Sequence, residues 1–199
     1  MGGSHTVKLA HLALCATLLL WGSSAHAETQ GDGDAYSPII ELGLYFGVED
    51  LSTARFVNGT NDSVEAGGLL DFNLGAVRHL DDRHELQVTL GFRFDGTNGT
   101  TGNVSWSRWV VEGKYFYRMA HARLGLGVSY HINPSFEINL EGFPSTAVDF
   151  DNGLGYVLEW DHLSRHTYYG LKYTLIDYTG GGLSVDGSSI ALVYGFNFR

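Results

Sequence analysis

Eight stretches of this chain set apolar side chains at every second position, a pattern that leaves few folds other than a sheet closed on itself. The last is the plainest. Between Ser189 and Arg199, Ile190, Leu192, Tyr194, Phe196 and Phe198 share one face, while Ser189, Ala191, Gly195 and Asn197 share the other. The first stretch, Ile39 to Glu49, opposes Ile40, Leu42, Leu44, Phe46 and Val48 to Glu41, Gly43, Tyr45 and Gly47. The second, Gly67 to Val77, and the third, Glu85 to Asp95, repeat the rule, with Leu86, Val88, Leu90, Phe92 and Phe94 against Glu85, Gln87, Thr89, Gly91 and Arg93 in the third. The fourth, Ser105 to Tyr117, is less regular, because Trp106, Val110 and Phe116 fall on the side of Arg108, Glu112 and Lys114. Three more follow at Ala122 to Tyr130, Val148 to Trp160 and Thr167 to Asp177.

Residues 1–27 read as a secretory signal peptide: Lys8, an apolar run from Leu9 to Trp21, then Ala25-His26-Ala27 as a small-x-small cleavage end. That run is too short to span a bilayer as a helix. Removal of this segment, which holds Lys8 and the single Cys15, leaves 172 residues with 11 basic against 22 acidic side chains and no cysteine. One domain fits that length, held by packing and strand pairing instead of disulfides. The acidic balance argues against a nucleic-acid partner. Residues 28–36 read as a Gly/Asp-rich periplasmic leader and 37–199 as the folded domain. No later apolar run is long enough for a spanning helix, so entry into a membrane is open to this domain only as a closed barrel, in which every backbone polar group is paired.

Connection lengths alternate. Those after the second, fourth and sixth stretches are short, while the others are longer and rich in Gly, Asn, Asp, Ser and Thr, as in an up-and-down barrel with short inner turns and long outer loops. Alternation alone also suits a soluble barrel with an apolar interior. Volume decides between them: the lumen of eight strands is only wide enough for side chains, and eight rows of Leu, Phe, Tyr and Trp would overfill it. The opposite face carries Gly43, Gly47, Gly75, Gly91, Gly125, Gly127, Gly153, Gly155, Gly170 and Gly195, which leave room for the charges among them. Aromatic residues gather near strand ends, as at the girdles of membrane barrels. The expectation is an all-β, eight-stranded antiparallel up-and-down transmembrane β-barrel in the cell outer membrane.

With these strands and the closing Tyr194-Gly195-Phe196-Asn197-Phe198, the domain resembles the small eight-stranded OmpA/OmpX-like outer-membrane barrel proteins of Gram-negative envelopes. The resemblance implies that Tyr194, Phe196 and Phe198 form the insertion signal presented to the barrel-insertion machinery, that lipid and lipopolysaccharide surround the barrel, and that no cofactor is needed. Family members usually end on the aromatic residue, whereas Arg199 follows it here.

Inward charges expected from the alternation are Glu41, Asp71, Glu85, Arg93, Arg108, Glu112, Lys114, Arg123, Asp149, Asp151, Glu159 and Lys172. Their near balance points to a plugged interior in which buried charges neutralise one another. A narrow, porin-like conduit for ions or small solutes is the alternative reading. The third outer loop alternates Phe136, Ile138, Leu140 and Phe143 with polar residues, and is expected to bind an extracellular partner or to pack on neighbouring loops. The main expectation is therefore a structural, adhesive or partner-binding role through the outer loops. A lipid A acylase or deacylase would need a nucleophile and base that meet near the outer leaflet. Ser164 and His166 lie on an inner turn, and His131 with Ser135 is a weak pairing, so the protein is expected not to be an enzyme. Nor do the nine histidines show metal-ligand spacing, and Asp149-Phe150-Asp151-Asn152-Gly153 places its glycine one position early for a calcium loop.

Overall fold

The computed structural model describes residues 36–47, 50–55, 61–65, 68–99, 102–140 and 142–198. The expected signal peptide and most of the leader, with Val48, Glu49, Gly67 and Arg199 from the expected strands, lie outside the described residues. Among the described residues thirteen strands follow one another: β1 (Tyr36–Gly47), β2 (Asp50–Arg55), β3 (Asn61–Glu65), β4 (Leu70–His79), β5 (His84–Gly99), β6 (Gly102–Arg118), β7 (Ala122–Leu140), β8 (Thr146–Asp149), β9 (Gly153–Leu163), β10 (Thr167–Leu175), β11 (Asp177–Gly180), β12 (Leu183–Asp186) and β13 (Ser189–Asn197).

Eight of them close a ring in the order β1, β4, β5, β6, β7, β9, β10, β13, with every pairing antiparallel. Closure is made by β1 on β13, from Ile39 opposite Asn197 to Gly47 opposite Ser189. A closed ring removes the unpaired edges that an open sheet would present. Three short turns, 80–83, 119–121 and 164–166, mark one end of the barrel; the long connections mark the other.

The outer surface is a continuous apolar belt. Leu42, Phe72, Leu90, Leu126 and Leu158 lie on it, Leu126 at 65% exposure, and no charged side chain interrupts those rows. Water would not tolerate a patch of this extent, whereas hydrocarbon does. Aromatic residues flank it: Phe46, Phe94 and Trp109 towards the loops, Tyr117, Trp160, Tyr169 and Phe198 towards the turns. The irregular fourth stretch is resolved by the same rule. Trp106, Val110 and Phe116 are fully buried inside the barrel while Trp109, Tyr115 and Tyr117 face out, so their place beside charged residues is their real orientation.

Several expected boundaries move, β5 running on to Gly99 and β6 starting at Gly102, and the two largest shifts lie around the third long connection. β7 does not stop at Tyr130 but runs on to Leu140, and the sixth ring strand starts at Gly153, the segment before it forming β8 on the extension of β7. The lengthened β7 carries a bulge. Trp109 pairs with Ile132 but Ser107 pairs with Ser135, so β7 carries one extra residue beside β6. Asn133 takes the left-handed conformation there, with φ of 49°. Its backbone N–H donates to Asn152 Oδ1, and Pro134 accepts from the Phe150 N–H. One extra residue reverses the alternation: even-numbered side chains from Leu124 to Tyr130 point outward, whereas Phe136 and Ile138 point inward beside Trp106 and Val104.

Candidate functional site

The lumen is filled from its middle to the turn end by charge pairs. At mid-height the Lys172 ammonium donates to Glu41 Oε1 at 2.5 Å and Glu112 Oε2 at 2.9 Å, and lies 3.6 Å from Glu159. Lys114, from β6, donates to Glu159 at 2.7 Å and lies 3.3 Å from both Glu41 and Glu112. Three carboxylates from three strands therefore enclose two ammonium groups, all buried. Carboxylate oxygens of Glu41, Glu112 and Glu159 come within 4.8 Å of one another, a spacing that suits a cation. The lysines supply that charge themselves. Paired burial is tolerable because each ion finds several opposite partners, while removal of one leaves another uncompensated.

Towards the loops, Arg93 donates to Asp71 at 3.1 Å, sits 3.6 Å from Glu112, and stacks on the Tyr45 ring at 3.6 Å. Towards the turns, Arg123 donates to Asp161 at 2.7 Å and to Glu85 at 3.2 Å, with its guanidinium over the rings of Phe116 and Tyr168. Two lumen glycines make room for those rings: a Cβ on Gly195 would strike Tyr168, and one on Gly125 would strike Phe116.

The loop end is filled differently. Val104, Trp106, Phe150, Ile176, Tyr178 and Val185 form a buried apolar cluster, with Phe136, Ile138 and Val148 packed against it. Trp106 meets Phe150 and Tyr178 edge-on, at ring separations of 5.2 and 5.4 Å. Contributions come from β6, β7, β8, β11 and β12, so the sheet rising above the belt has a core of its own. Between the two fillings lies a polar joint in which Arg108 Nε donates to His131 Nδ1 at 3.2 Å, Tyr178 bonds the same nitrogen, and His131 Nε2 meets Ser129 Oγ at 2.8 Å.

The chain has the fold of the small outer-membrane barrels. Among solved structures it resembles Ail, the attachment invasion locus protein of Yersinia pestis, solved in complex with the heparin analogue sucrose octasulfate, at 12% identity and a TM-score of 0.54 over 83% of this chain and 99% of that one. It also resembles Neisserial surface protein A, at 11% identity and a TM-score of 0.50 over 84% and 99%. No family model and no curated protein matches the sequence.

Of the residues singled out from the sequence, Glu41, Asp71, Glu85, Arg93, Arg108, Glu112, Lys114, Arg123, Glu159 and Lys172 all face the lumen. Asp149 and Asp151 do not. They are exposed above the barrel, because β9 begins only at Gly153, and Phe150 between them turns into the apolar cluster instead of outward. Asp95 and Asp161 are buried, although Asp161 reads from the sequence as part of a turn. His131, expected in a loop, is buried in the polar joint, with no hydrogen bond between it and Ser135. Phe136 and Ile138 are partly buried in the cluster and therefore do not present a free surface; Phe143 is 72% exposed, and the Leu140 side chain lies outside the described residues. Tyr194, Phe196 and Phe198 stand on the outer face of the last strand, Phe196 and Phe198 edge-on at 4.7 Å.

Proposed function

We propose that the protein is an integral outer-membrane barrel whose lumen acts as a filled strut and whose loop end is a partner-binding platform at the cell surface. The observation that carries this reading is the apolar cluster around Trp106 and Tyr178, which holds β7, β8, β11 and β12 in fixed positions above the lipid belt. A barrel that only spanned lipid would have no use for a second core there. Charge suggests the partner's chemistry. The long loops carry Glu49, Asp50, Asp62, Glu65, Glu137, Glu141, Asp149, Asp151, Asp177 and Asp186 against Arg55 alone. A surface of one sign attracts the opposite one, so the partner would be cationic, and lipopolysaccharide phosphates would meet these loops through shared divalent cations. A polyanion like the one bound by Ail would be repelled.

Cells displaying the protein should adhere to polylysine-coated surfaces severalfold better than cells lacking it, and no better to heparin-coated ones. Glu137→Gln, Asp149→Asn and Asp151→Asn together should remove most of the difference. Equal adherence with and without the protein would end the proposal, and outer-membrane placement would fail if the protein fractionated as a soluble species.

A conduit is a second reading. Gln87 Oε1, Thr89 Oγ1, Glu159 Oε1, Thr174 Oγ1 and Ser189 Oγ are buried with no hydrogen-bond partner among the described residues, an arrangement that favours water at several heights in the lumen. The aromatic cluster stands in the way of any continuous path, so the intact barrel is expected to be electrically silent in planar bilayers. Lipid A chemistry is disfavoured by the polar joint. Two donors on His131 Nδ1 put its proton on Nε2, which then donates to Ser129 Oγ and cannot act as its base. An altered lipid A mass spectrum on overexpression would reverse that reading.

A further inference from the structure

At the turn end, opposite the platform, the lumen opens into a recess of about 30 Å³ between the 164–166 turn and the inner wall, with Glu85, Arg118, Arg123, Arg165, Tyr168 and Asn197 in its lining. Three guanidiniums face one carboxylate, and that carboxylate is fully engaged. Glu85 accepts from Arg118 at 2.9 Å and from Arg123 at 3.2 Å, with His79 at 3.0 Å. Asp161 lies one step behind, bonded to Arg123 Nε.

Two polar groups in this lining are left over. Arg123 is 2% exposed, and its Nη2 has no hydrogen-bond partner among the described residues. The side-chain oxygen of Asn197 is buried and equally without one, and rotation of that amide would present its NH₂ instead. Arg165 is exposed at the rim. A buried guanidinium nitrogen without an acceptor costs free energy that an incoming acceptor would recover. Geometry narrows the ligand further. A water needs about 10 to 15 Å³ of such space, so the recess has room for roughly two oxygen atoms, the size of a carboxylate head. Planar guanidinium is the group that matches carboxylate geometry.

We propose that this recess is a carboxylate-binding site at the inner mouth of the barrel. The carboxylate has two sources of the same chemistry. Glu28, Asp32 and Asp34 precede β1 in the chain, and Ile39 of β1 pairs with Asn197 in the lining. Asp34 stands five residues before Ile39, and five residues of chain can span at most about 18 Å, enough to reach the mouth. The other source is a free peptide or polymer carboxylate on that side of the membrane.

The test is an acetate titration of the refolded full mature chain in micelles, at constant ionic strength, followed by NMR of the Arg123 Nε–H and Asn197 side-chain amide. Saturable shifts are expected, with affinity about fivefold weaker, equivalent to about 1 kcal/mol, in Arg165→Glu or Arg118→Gln and unaltered in Asp81→Asn on a turn outside the lining. Neutralising the leader with Glu28→Gln, Asp32→Asn and Asp34→Asn distinguishes the sources. Tighter acetate binding in that variant supports a site filled in cis, and unchanged saturable binding supports one filled from another molecule. Shifts that grow linearly without saturation, or that saturate identically in both arginine variants and the parent, overturn the site.

Discussion

The two ends of the lumen solve one packing problem by opposite means. Around Glu41, Lys114 and Lys172 the space is filled by ions that compensate one another, while around Trp106 and Tyr178 it is filled by rings and branched side chains. An ion network is specific but unforgiving, because each member is tolerable only while its partners remain. An apolar cluster degrades by degrees, according to how much surface and volume are lost. The division also follows the expected surroundings: the charged part lies within the lipid belt, and the apolar part rises above it, where loops need a core to stand on.

Substitutions should expose that contrast. The largest effect is expected for Lys172→Met, which leaves Glu41 and Glu112 short of a partner and should cost about 3 to 5 kcal/mol in urea unfolding from lipid vesicles. Adding Glu112→Gln should restore part of it; an additive loss would mean the network is not coupled. Next is Trp106→Ala, at about 3 kcal/mol, with the added consequence that conductance in planar bilayers should appear or rise. A silent variant would show that the cluster is not what closes the loop end. Phe136→Ala removes a partly buried ring and should cost about 1 to 2 kcal/mol, while Phe143→Ala, exposed at a loop tip, should leave unfolding unchanged.

The smallest effect lies outside the membrane, at the first turn. There the Arg83 backbone N–H donates to the Asp81 carboxylate and holds its pKa below the usual value, helped by the nearby charge of His84. A lowered carboxylate stabilises the fold above its unfolded pKa, near 3.9, and that contribution is lost as pH falls through the folded value. Asp81→Asn should therefore narrow the difference in unfolding midpoint between pH 6 and pH 3 slightly, read by tryptophan fluorescence.

Most of the barrel was legible from alternation alone, since lipid and lumen impose the same period on every strand. The inward set from Glu41 to Lys172 follows directly from parity. Above the belt that rule stops working. Asp149, Asp151 and Phe150 were misplaced because parity was carried back from Leu154 through a segment that is not part of β9. Phe136 and Ile138 share the parity of Tyr130, and only the bulge at Asn133-Pro134 turns them inward. Asn followed by Pro was the available clue, since Asn tolerates the left-handed conformation and Pro interrupts a ladder. Partner choice within the ion network was not legible, because it depends on strand register and ring closure.

The single additional residue in β7 also bears on how such loops can change over generations. Deleting one residue between Ile132 and Ser135 would exchange Phe136 and Ile138 with Glu137 and Asn139 in one event, emptying the outer core of two members and loading it with an acid. No single substitution does as much. Surface loops tolerate insertions and deletions at little cost elsewhere, but this stretch should be constrained in length more tightly than in composition.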